Sequence, residues 1–429
     1  MKGIFTSYKV SDRYLSYISW AYVLFIAIAA YYRFPLSAGE FGDEGYYADE
    51  AAYLGRYDVY ASLSQGTSFV FSLLIFLVSK ACFVSYLIGA RLLSVLFFFI
   101  SAALFGRCLR AFTSLDAAGR CVAVVYFATI CTAWVWKGLA DIVCIAFIFG
   151  AFHLLTSARS MRNTLLAGAV LFLGFTVKPI VLFTIPGFGL YLLLNHRGTI
   201  SFAKRALRAF AFLAAFIACF ALYHVPGYLT YHKLMLESKD HHYVDGKRVE
   251  NPNLWNEKNV YFEAYNPNNH PNKWAVSWEE VAAYKAQHPE VKLNLGYTEY
   301  VKTHTATWGK NLASKVFLTL PYSIQYGFFF AKWNIANHWL KSLFLVKFIT
   351  LLIIAVICIA ERRFIRENAL LLAVPFTYYF ILCAYLIPQL EDNWLLYCLP
   401  FLALPVCRFL SRYVHIAVLV LLQVVYVLL

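Results

Sequence analysis

Five carboxylates lie close together near the start of the chain, in the stretch FGDEGYYADEAAYLGRYDVY at residues 41–60. They are Asp43, Glu44, Asp49, Glu50 and Asp58, in a protein of 429 residues of which only 14% are charged. Because the stretch follows a long apolar run, we expect it at a membrane boundary, where a carboxylate is costly unless it has a partner or a function. Two interpretations are open: a solvated acidic loop, or a general base, Asp43, that neighbouring carboxylates tune or that shares a metal with them.

The composition predicts an all-α polytopic membrane protein. The chain is 61% hydrophobic and 18% aromatic, with a mean hydropathy of +0.61, whereas a soluble domain is about half apolar and about a quarter charged. Apolar runs of about 20 residues recur along the sequence, as expected for transmembrane helices. We expect the first run, 17–33, to be kept as a span rather than cleaved as a signal peptide, because it is long and other spans follow.

The positive charge is concentrated in short connections between the apolar runs. The formal net charge is +14, but the polar segment 224–315 is nearly balanced, so no nucleic-acid partner is needed to explain the excess. The basic connections are 2–13, 107–120, 159–162, 197–208, 362–366 and 408–412. The positive-inside rule predicts that all of them lie on the cytoplasmic side.

Charge placement also indicates which apolar runs cross the membrane. The candidate runs lie near 17–33, 63–84, 87–106, 118–136, 138–157, 163–177, 179–194, 205–223, 316–331, 341–360, 368–387, 394–409 and 413–429. If 63–84 and 316–331, which carry polar or Gly/Pro interruptions, lie at the interface, every basic connection falls inside. The prediction is about eleven spans, and at most about thirteen, with a cytoplasmic N-terminus. The outer face then receives 34–86, 137–141, 178, 224–340 and 388–393.

Three regions follow from this topology: an N-terminal module of about seven spans with an acidic first outer loop, a large outer loop, and C-terminal helices. Their bounds are 1–223, 224–340 and 341–429. In the large loop, Ser277 stands three residues before Glu280, the capping-box spacing that opens a short helix. Outer loops of this length usually act as lids or binding elements. The polar part of the loop has no cysteine, so no disulfide framework is expected there.

The residues around the carboxylates resemble a known motif. DEGYYADEAAYLGRYDVY is similar to the pattern D-E-x-x-Y-a-x-x-A-x-x-hydrophobic-x-x-G/Y-D, which follows the first span in the GT-C superfamily of glycosyltransferases. The resemblance is strongest to bacterial relatives of the protein O-mannosyltransferases and to the lipid A aminoarabinose transferases. The matching positions are Asp43, Glu44, Tyr47, Ala48, Ala52 and Asp58. The family has an acidic outer loop with juxtamembrane helices and a second, larger outer loop, which is the layout that the charges predict.

Further stretches match in the same order. YLIGARLLSVLFF places Arg91 on the arginine that opens the second span, KGLADIVCIAFIFGAF places Asp141 on an acidic residue, and LFLGFTVKPIVLF places Lys178 in a Lys-Pro pattern. Two stretches depart from the family. SQGTS at 64–68 stands where relatives have Pro-Pro or Lys-Pro-Pro, and Asn393-Trp394 in EDNWLLYCLPFLALP stands where they have Arg-Tyr.

The resemblance implies an inverting-type transfer of a sugar from a polyprenyl-phosphate donor to a hydroxyl, on the periplasmic face of a bacterial inner membrane. It assigns Asp43 as the base that deprotonates the acceptor, with Glu44 beside it in the catalytic site. The candidate substrate-binding residues are Tyr47, Arg56, Gln65, Arg91, Lys178, His224, Glu391 and Asp392. A divalent metal held by Asp43 and Asp141 is an alternative to cationic side chains for stabilising the leaving phosphate. Ionisable groups between apolar helices are either functional or interface anchors, and both interpretations apply to Lys178 and Asp141.

The expected acceptor is a lipid-linked or cell-surface glycan resembling O-antigen, and a protein hydroxyl or lipid A is the alternative within the same family. An alternative from another class is a lipid or sugar transporter or flippase, for which broken helices and an internal repeat are typical. An O-antigen polymerase or ligase would also carry a large outer loop but would use outer-face arginines. The sequence has no Walker A motif, Gly-rich dinucleotide loop or zinc ribbon, so no nucleotide cofactor is expected.

Overall fold

The computed structural model of the protein describes most of the apolar part of the chain and part of the large loop. The described residues are 12–33, 35, 36, 39, 44–55, 69–157, 160–195, 201–231, 241–244, 247–250, 257, 260–265, 278–329, 344–385 and 392–428. Within them the fold is helical apart from one antiparallel hairpin, β1 (His241–Val244) paired with β2 (Lys247–Glu250). The predicted all-α class is therefore confirmed for the described apolar segments.

The helices in the first half of the chain follow the predicted order. They are α1 (Asp12–Arg33), α2 (Glu44–Gly55), α3 (Phe69–Cys82), α4 (Tyr86–Cys108), α5 (Ala117–Cys131), α6 (Ala140–Ser157), α7 (Met161–Val177), α8 (Ile185–Leu194) and α9 (Phe202–Tyr231). A 3₁₀ turn at Leu109–Ala111 ends α4, and a longer one at Pro179–Thr184 leads into α8.

The second half has shorter helices. They are α10 (Trp278–Gln287), α11 (Tyr297–Thr303), α12 (Thr305–Ser314), α13 (Leu320–Phe329), α14 (Phe344–Ala360), α15 (Arg362–Glu367), α16 (Ala369–Tyr385), α17 (Asp392–Leu395), α18 (Leu399–Leu402), α19 (Leu404–Tyr413) and α20 (Ile416–Leu428). Single π-helical turns lie at Tyr261–Tyr265 and Lys315–Thr319.

Polar side chains start several apolar helices. The hydroxyl of Ser85 accepts from the Ile88 amide at the start of α4, and the carboxylate of Asp116 accepts from the Gly119 amide, at 2.8 Å, before α5. Ser160 caps α7 in the same way. These caps satisfy amides that have no partner inside the helix, so each short connection carries its own start signal for the next helix.

Four of the described helices are long and apolar enough to cross a membrane. They are Asp12–Tyr32, Tyr86–Ala111, Ala140–Ser157 and Phe202–Val225. A fifth candidate is the pair Leu404–Tyr413 and Ile416–Val425, which is bent by 115°. The predicted membrane character is therefore supported, and the number of about eleven spans stays a prediction.

Several predicted spans are shorter or more broken than the apolar runs suggested. The run 118–136 forms a helix only to Cys131, and 179–194 is split between a 3₁₀ turn and α8. Apolar helices of 14–17 residues, such as Phe69–Cys82 and Met161–Val177, extend about 21–26 Å at 1.5 Å per residue, less than a hydrocarbon core of about 30 Å. Helix length alone therefore does not separate 63–84 from runs that were predicted to cross.

The C-terminal segment enters the core of the N-terminal helices. Phe401 of α18 packs against four phenylalanine rings, with centroid distances of 4.8 Å to Phe152, 5.1 Å to Phe105 and 5.2 Å to Phe149. The predicted span 394–409 is in fact three short helices, because Pro400 and Pro405 interrupt the backbone hydrogen bonding. The predicted regions 1–223 and 341–429 therefore share one hydrophobic core.

One end of the bundle is held by polar contacts between its connections. The buried Asn368 side chain accepts from the Thr113 amide at 2.8 Å and donates to the Thr113 carbonyl at 2.9 Å. Buried Glu361 forms ion pairs with Arg408 and Arg412. One end of the bundle therefore brings together the connections 109–116 and 361–368 and the end of α19. This agrees with the prediction that the basic connections lie on the same side of the membrane.

The described part of the large loop forms a small subdomain of its own. Its apolar core comprises Val260, Tyr261, Val281, Leu293, Leu295 and Tyr300. The predicted short helix is confirmed as α10, although Ser277 lies outside the described residues. The Tyr297 hydroxyl and the Trp308 indole both donate to the Ala384 carbonyl, at 2.7 and 3.2 Å, so the subdomain is tied to the end of α16.

Candidate functional site

A buried ion pair joins the acidic stretch to the second long helix. Glu44 begins α2, and its Oε2 lies 2.7 Å from a guanidinium nitrogen of Arg91 on α4. The two side chains are 0% and 1% exposed. The Glu44 carboxylate also accepts from the Gly138 amide at 2.6 Å. A buried charge needs such compensation, and here one carboxylate connects α2, α4 and the turn between α5 and α6.

Arg91 also holds the backbone of the connection between α1 and α2. Its two terminal nitrogens donate to the carbonyls of Leu36 and Gly39, at 2.8 and 2.7 Å. With the bonds to Glu44, every nitrogen of the guanidinium has a hydrogen-bond partner. The structure therefore gives Arg91 a positioning role, and its predicted contact with a substrate phosphate would require displacing these partners.

The turn that receives Glu44 lies directly against α4. A Cβ atom at Gly138 would stand 2.7 Å from the Ala90 Cβ and 3.3 Å from the backbone nitrogen of Arg91, so a side chain at this position has no room. The adjacent Lys137 is buried, with its Nζ 4.7 Å from the centre of the Trp134 ring. Burial lowers the pKa of Lys137, and the charge of Glu44 partly offsets that effect. Lys137 is a site residue that sequence reasoning missed.

Gly138→Ala is expected to destabilise the protein by about 1–3 kcal/mol, because the methyl group must push the turn away from α4 and lengthen its bond to Glu44. The change can be measured as a shift of the unfolding midpoint of the purified protein in detergent. Gly106→Ala is the matched control, since nothing lies within 4 Å of a Cβ at that helical position, and a stabilisation of up to about 1 kcal/mol is expected there. Equal effects of the two substitutions would contradict the close approach of the turn.

A second charged group is built around Asp141, which follows Lys137 by four residues. Asp141, in the first turn of α6, is buried, and its Oδ1 is 2.6 Å from the Nζ of Lys178. The hydroxyl of Tyr397 donates to the same oxygen at 2.9 Å. The Lys178 side chain is 22% exposed, so it is a cation with access from outside the core. The two charged residues that the resemblance singled out are therefore brought together.

The local backbone explains how these groups are placed. Lys178 is the C-cap of α7 and is followed by Pro179, which cannot continue the helix. Tyr397 lies in the break between α17 and α18, where the Tyr378 hydroxyl donates to the Trp394 carbonyl at 3.0 Å. Sequence reasoning missed Tyr397 because it compared Asn393-Trp394 with the Arg-Tyr of relatives.

The histidine at the end of α9 has an unusual environment. His224 is 7% exposed and lies among the rings of Phe220, Tyr223 and Phe175, at centroid distances of 4.1, 4.9 and 6.5 Å. Its buried Nε2 has no hydrogen-bond partner within the described residues. A buried polar atom left unpaired costs about 1–3 kcal/mol, so this nitrogen indicates a missing partner.

Two other members of the acidic stretch have packing roles. Tyr47 is buried against Phe71, with ring centroids 5.0 Å apart in an edge-to-face arrangement. The Glu50 carboxylate accepts from the Ser72 hydroxyl at 2.8 Å. Both contacts hold α2 against α3. They give Tyr47 a structural contact, and its predicted role in substrate binding stays a prediction.

The remaining predicted residues lie outside what the structure describes. These are Asp43, Arg56, Gln65 and Glu391, while Asp392 begins α17 with a side chain that is not described. Of the two residues predicted to hold a metal, Asp141 is described and Asp43 is not. In the described ranges no group of three or more His, Cys, Asp or Glu side chains could hold a metal ion, and Asp141 has Lys178 as its cationic partner.

The segment 137–141 thus connects two buried charge groups. One is Glu44 with Arg91 and Gly138, and the other is Asp141 with Lys178 and Tyr397. Comparison of the chain with protein-family models, with curated proteins and with solved structures finds no match.

Proposed function

We propose that the protein is a membrane glycosyltransferase of the GT-C type, with about eleven spans. In this proposal it transfers a sugar from a polyprenyl-phosphate donor to a hydroxyl of a lipid-linked or cell-surface glycan. The reaction takes place on the periplasmic face of a bacterial inner membrane, in an inverting displacement. The proposal needs the bilayer, the lipid-linked donor and the glycan acceptor as partners, and no nucleotide cofactor.

One observation carries the proposal: residues that the motif resemblance selected one by one are in contact across the fold. Glu44 meets Arg91 at 2.7 Å, and Asp141 meets Lys178 at 2.6 Å. The short segment 137–141 contributes to both groups through the Gly138 amide and Asp141. If each of these residues only anchored its own helix at the membrane interface, there would be no reason for them to pair with one another.

The chemistry assigns different tasks to the two groups. Asp43, which directly precedes Glu44 in the chain, takes the proton from the acceptor hydroxyl. The acceptor oxygen forms a bond to the anomeric carbon of the sugar as the bond from that carbon to the phosphate oxygen breaks, and the electron pair stays on the phosphate. Glu44 and Arg91 fix the start of α2, and Lys178 provides positive charge toward the departing phosphate.

A metal-dependent version of the reaction is an alternative for the leaving-group side. A divalent ion held by Asp43 and Asp141 would supply the same charge stabilisation as Lys178. The contact between Asp141 and Lys178 favours the lysine, because an ammonium and a divalent cation compete for the same carboxylate oxygen. Turnover that is unchanged after dialysis against a chelator is the result expected for the lysine version.

Asp43→Asn is expected to lower the rate of transfer by at least about 10²-fold, because the amide cannot accept the proton of the acceptor. The rate is measured on purified protein with a polyprenyl-phosphate sugar and a panel of glycan acceptors. Asp49→Asn is the matched control, because Asp49 belongs to the same acidic stretch of the sequence and is exposed on α2. Full turnover by Asp43→Asn would refute the assignment of the base.

The same acceptor panel separates the members of the family. Transfer to a serine- or threonine-containing peptide would identify a protein O-mannosyltransferase, and transfer to lipid A would identify a lipid A modifying enzyme. Both outcomes keep the donor chemistry and change only the acceptor. The described contacts favour no acceptor, and the glycan assignment rests on the single large outer loop.

One structural observation favours a transporter or flippase as the second candidate. The segment Asp392–Tyr413 is broken into three short helices and carries Tyr397 to buried Asp141 within the core. Broken helices that meet an ionisable group inside a bundle are typical of substrate sites in transporters. A transporter would move the intact lipid-linked sugar between leaflets, whereas the transferase cleaves its sugar–phosphate bond.

A further inference from the structure

His224 lies where three elements meet near the end of a long apolar helix. The neighbouring Tyr223 contacts the ring of Phe172 on α7 and the ring of Phe69 at the start of α3, each at 5.8 Å. The His224 ring contacts Phe175 on α7. The imidazole thus lies between α7 and α9, in an aromatic cluster that Tyr223 extends to α3.

The surroundings of His224 are suited to an apolar ligand that comes from the bilayer. On the same helix, Ile217 is 60% exposed and Leu222 is 77% exposed, as expected for residues that face lipid. The rings of Phe220 and Tyr223 are half-buried and contact the His224 ring. An isoprenoid chain lying along α9 would contact these rings while its polar end reached the imidazole.

A cation lies on the same helix as one of the rings. Lys178 follows Phe175 by three residues and is the C-cap of α7, the helix that carries Phe175. The Lys178 side chain is partly exposed. A ligand that satisfies both features has an anionic group for Lys178 and an acceptor oxygen for the unpaired Nε2 of His224.

We infer that His224 donates a hydrogen bond from Nε2 to a phosphate oxygen of a lipid phosphate that lies between α7 and α9. The inference rests on the proposed function and adds to it a residue for the phosphate of the lipid carrier. It explains why a polar nitrogen is buried among aromatic rings. The apolar chain supplies most of the contact area, and the imidazole fixes how deep the phosphate lies.

The test measures binding of a polyprenyl phosphate without any sugar transfer. The purified protein is titrated with a fluorescent polyprenyl phosphate, and competition by unlabelled polyprenyl phosphate, polyprenol and inorganic phosphate is recorded. We expect about tenfold weaker binding of the phosphate by His224→Phe, a smaller loss in His224→Gln, which keeps a donor, and no difference for polyprenol. His153→Phe is the matched control, because His153 pairs with Ser157 at the end of α6 that is opposite to Asp141.

Three results would overturn the inference. They are wild-type affinity of a folded His224→Phe protein for polyprenyl phosphate, equal losses for polyprenol and its phosphate, and full competition by inorganic phosphate. Thermal unfolding of each variant shows whether it is folded, and His224→Gln serves if the phenylalanine variant is not. Loss of lipid binding in a protein that never transfers sugar would refute the proposed function and keep the role of His224. Unchanged lipid binding by His224→Phe in a protein that does transfer sugar would refute the role of His224 and keep the proposed function.

Discussion

Arg91→Met is expected to lower the free energy of unfolding by about 3–5 kcal/mol, because it leaves the carboxylate of Glu44 buried without its cation. Glu44 is 0% exposed, and Arg91 also supports the carbonyls of Leu36 and Gly39. The measurement is equilibrium unfolding of the purified protein in mixed micelles. The same substitution is expected to reduce transfer, since the start of α2 is no longer fixed.

A double substitution distinguishes this pair from a general loss of packing. Glu44→Gln combined with Arg91→Met is expected to recover part of the lost stability, because neither side chain then leaves an unpaired buried charge. Arg363→Met is the control, since Arg363 pairs with Glu367 while 83% exposed, and exposed pairs contribute about 0–1 kcal/mol. Strictly additive effects of the two single substitutions would show that Glu44 and Arg91 do not stabilise each other.

Asp141→Asn is expected to lower the rate of sugar transfer by about 10²–10³-fold, and Lys178→Met is expected to have a similar effect. The carboxylate holds the ammonium of Lys178 at 2.6 Å, and without it the positive charge toward the leaving phosphate is misplaced. Tyr397→Phe removes one hydrogen bond to Asp141 and is expected to cost about tenfold. The measurement is kcat and KM with a saturating acceptor and a varied donor.

The control for this group is a lysine that pairs with a carboxylate elsewhere. Lys292→Met removes an exposed partner of Glu299 in the large loop and is expected to leave turnover unchanged. A fall in kcat with little change in KM would indicate charge stabilisation during bond breaking. Wild-type turnover by Lys178→Met would contradict the role given to Lys178 and favour the metal version of the site.

The apolar runs predicted the starts of α4, α5 and α7 to within two residues. The starts of α4, α5 and α7 follow Ser85, Asp116 and Ser160, each of which accepts from an amide of the first turn. The run 138–157 matches α6 closely, whereas α9 begins three residues before the run 205–223 and ends eight residues after it. Hydropathy alone could not predict that 394–409 is interrupted, because proline is tolerated in an apolar run when surrounding helices cover the freed backbone.

Pairing within the site could not be read from spacing. Glu44 and Arg91 are 47 positions apart, and Asp141 and Tyr397 are 256 positions apart. The sequence indicated that the first three residues matter, through a motif resemblance, but it gave no partner for any of them. Lys137, Gly138 and Tyr397 were missed because their roles depend on close approach to other helices. Such contacts are set by tertiary packing and leave no local pattern.

The most direct test of the central claim follows the bond between the sugar and the phosphate. Purified protein in sealed proteoliposomes receives a polyprenyl-phosphate sugar labelled in the sugar, together with glycan acceptors, and mass spectrometry detects both products. We predict labelled acceptor and one polyprenyl phosphate released for each sugar transferred. Movement of the intact donor between leaflets, with no cleavage of that bond, would contradict the account and identify a transporter.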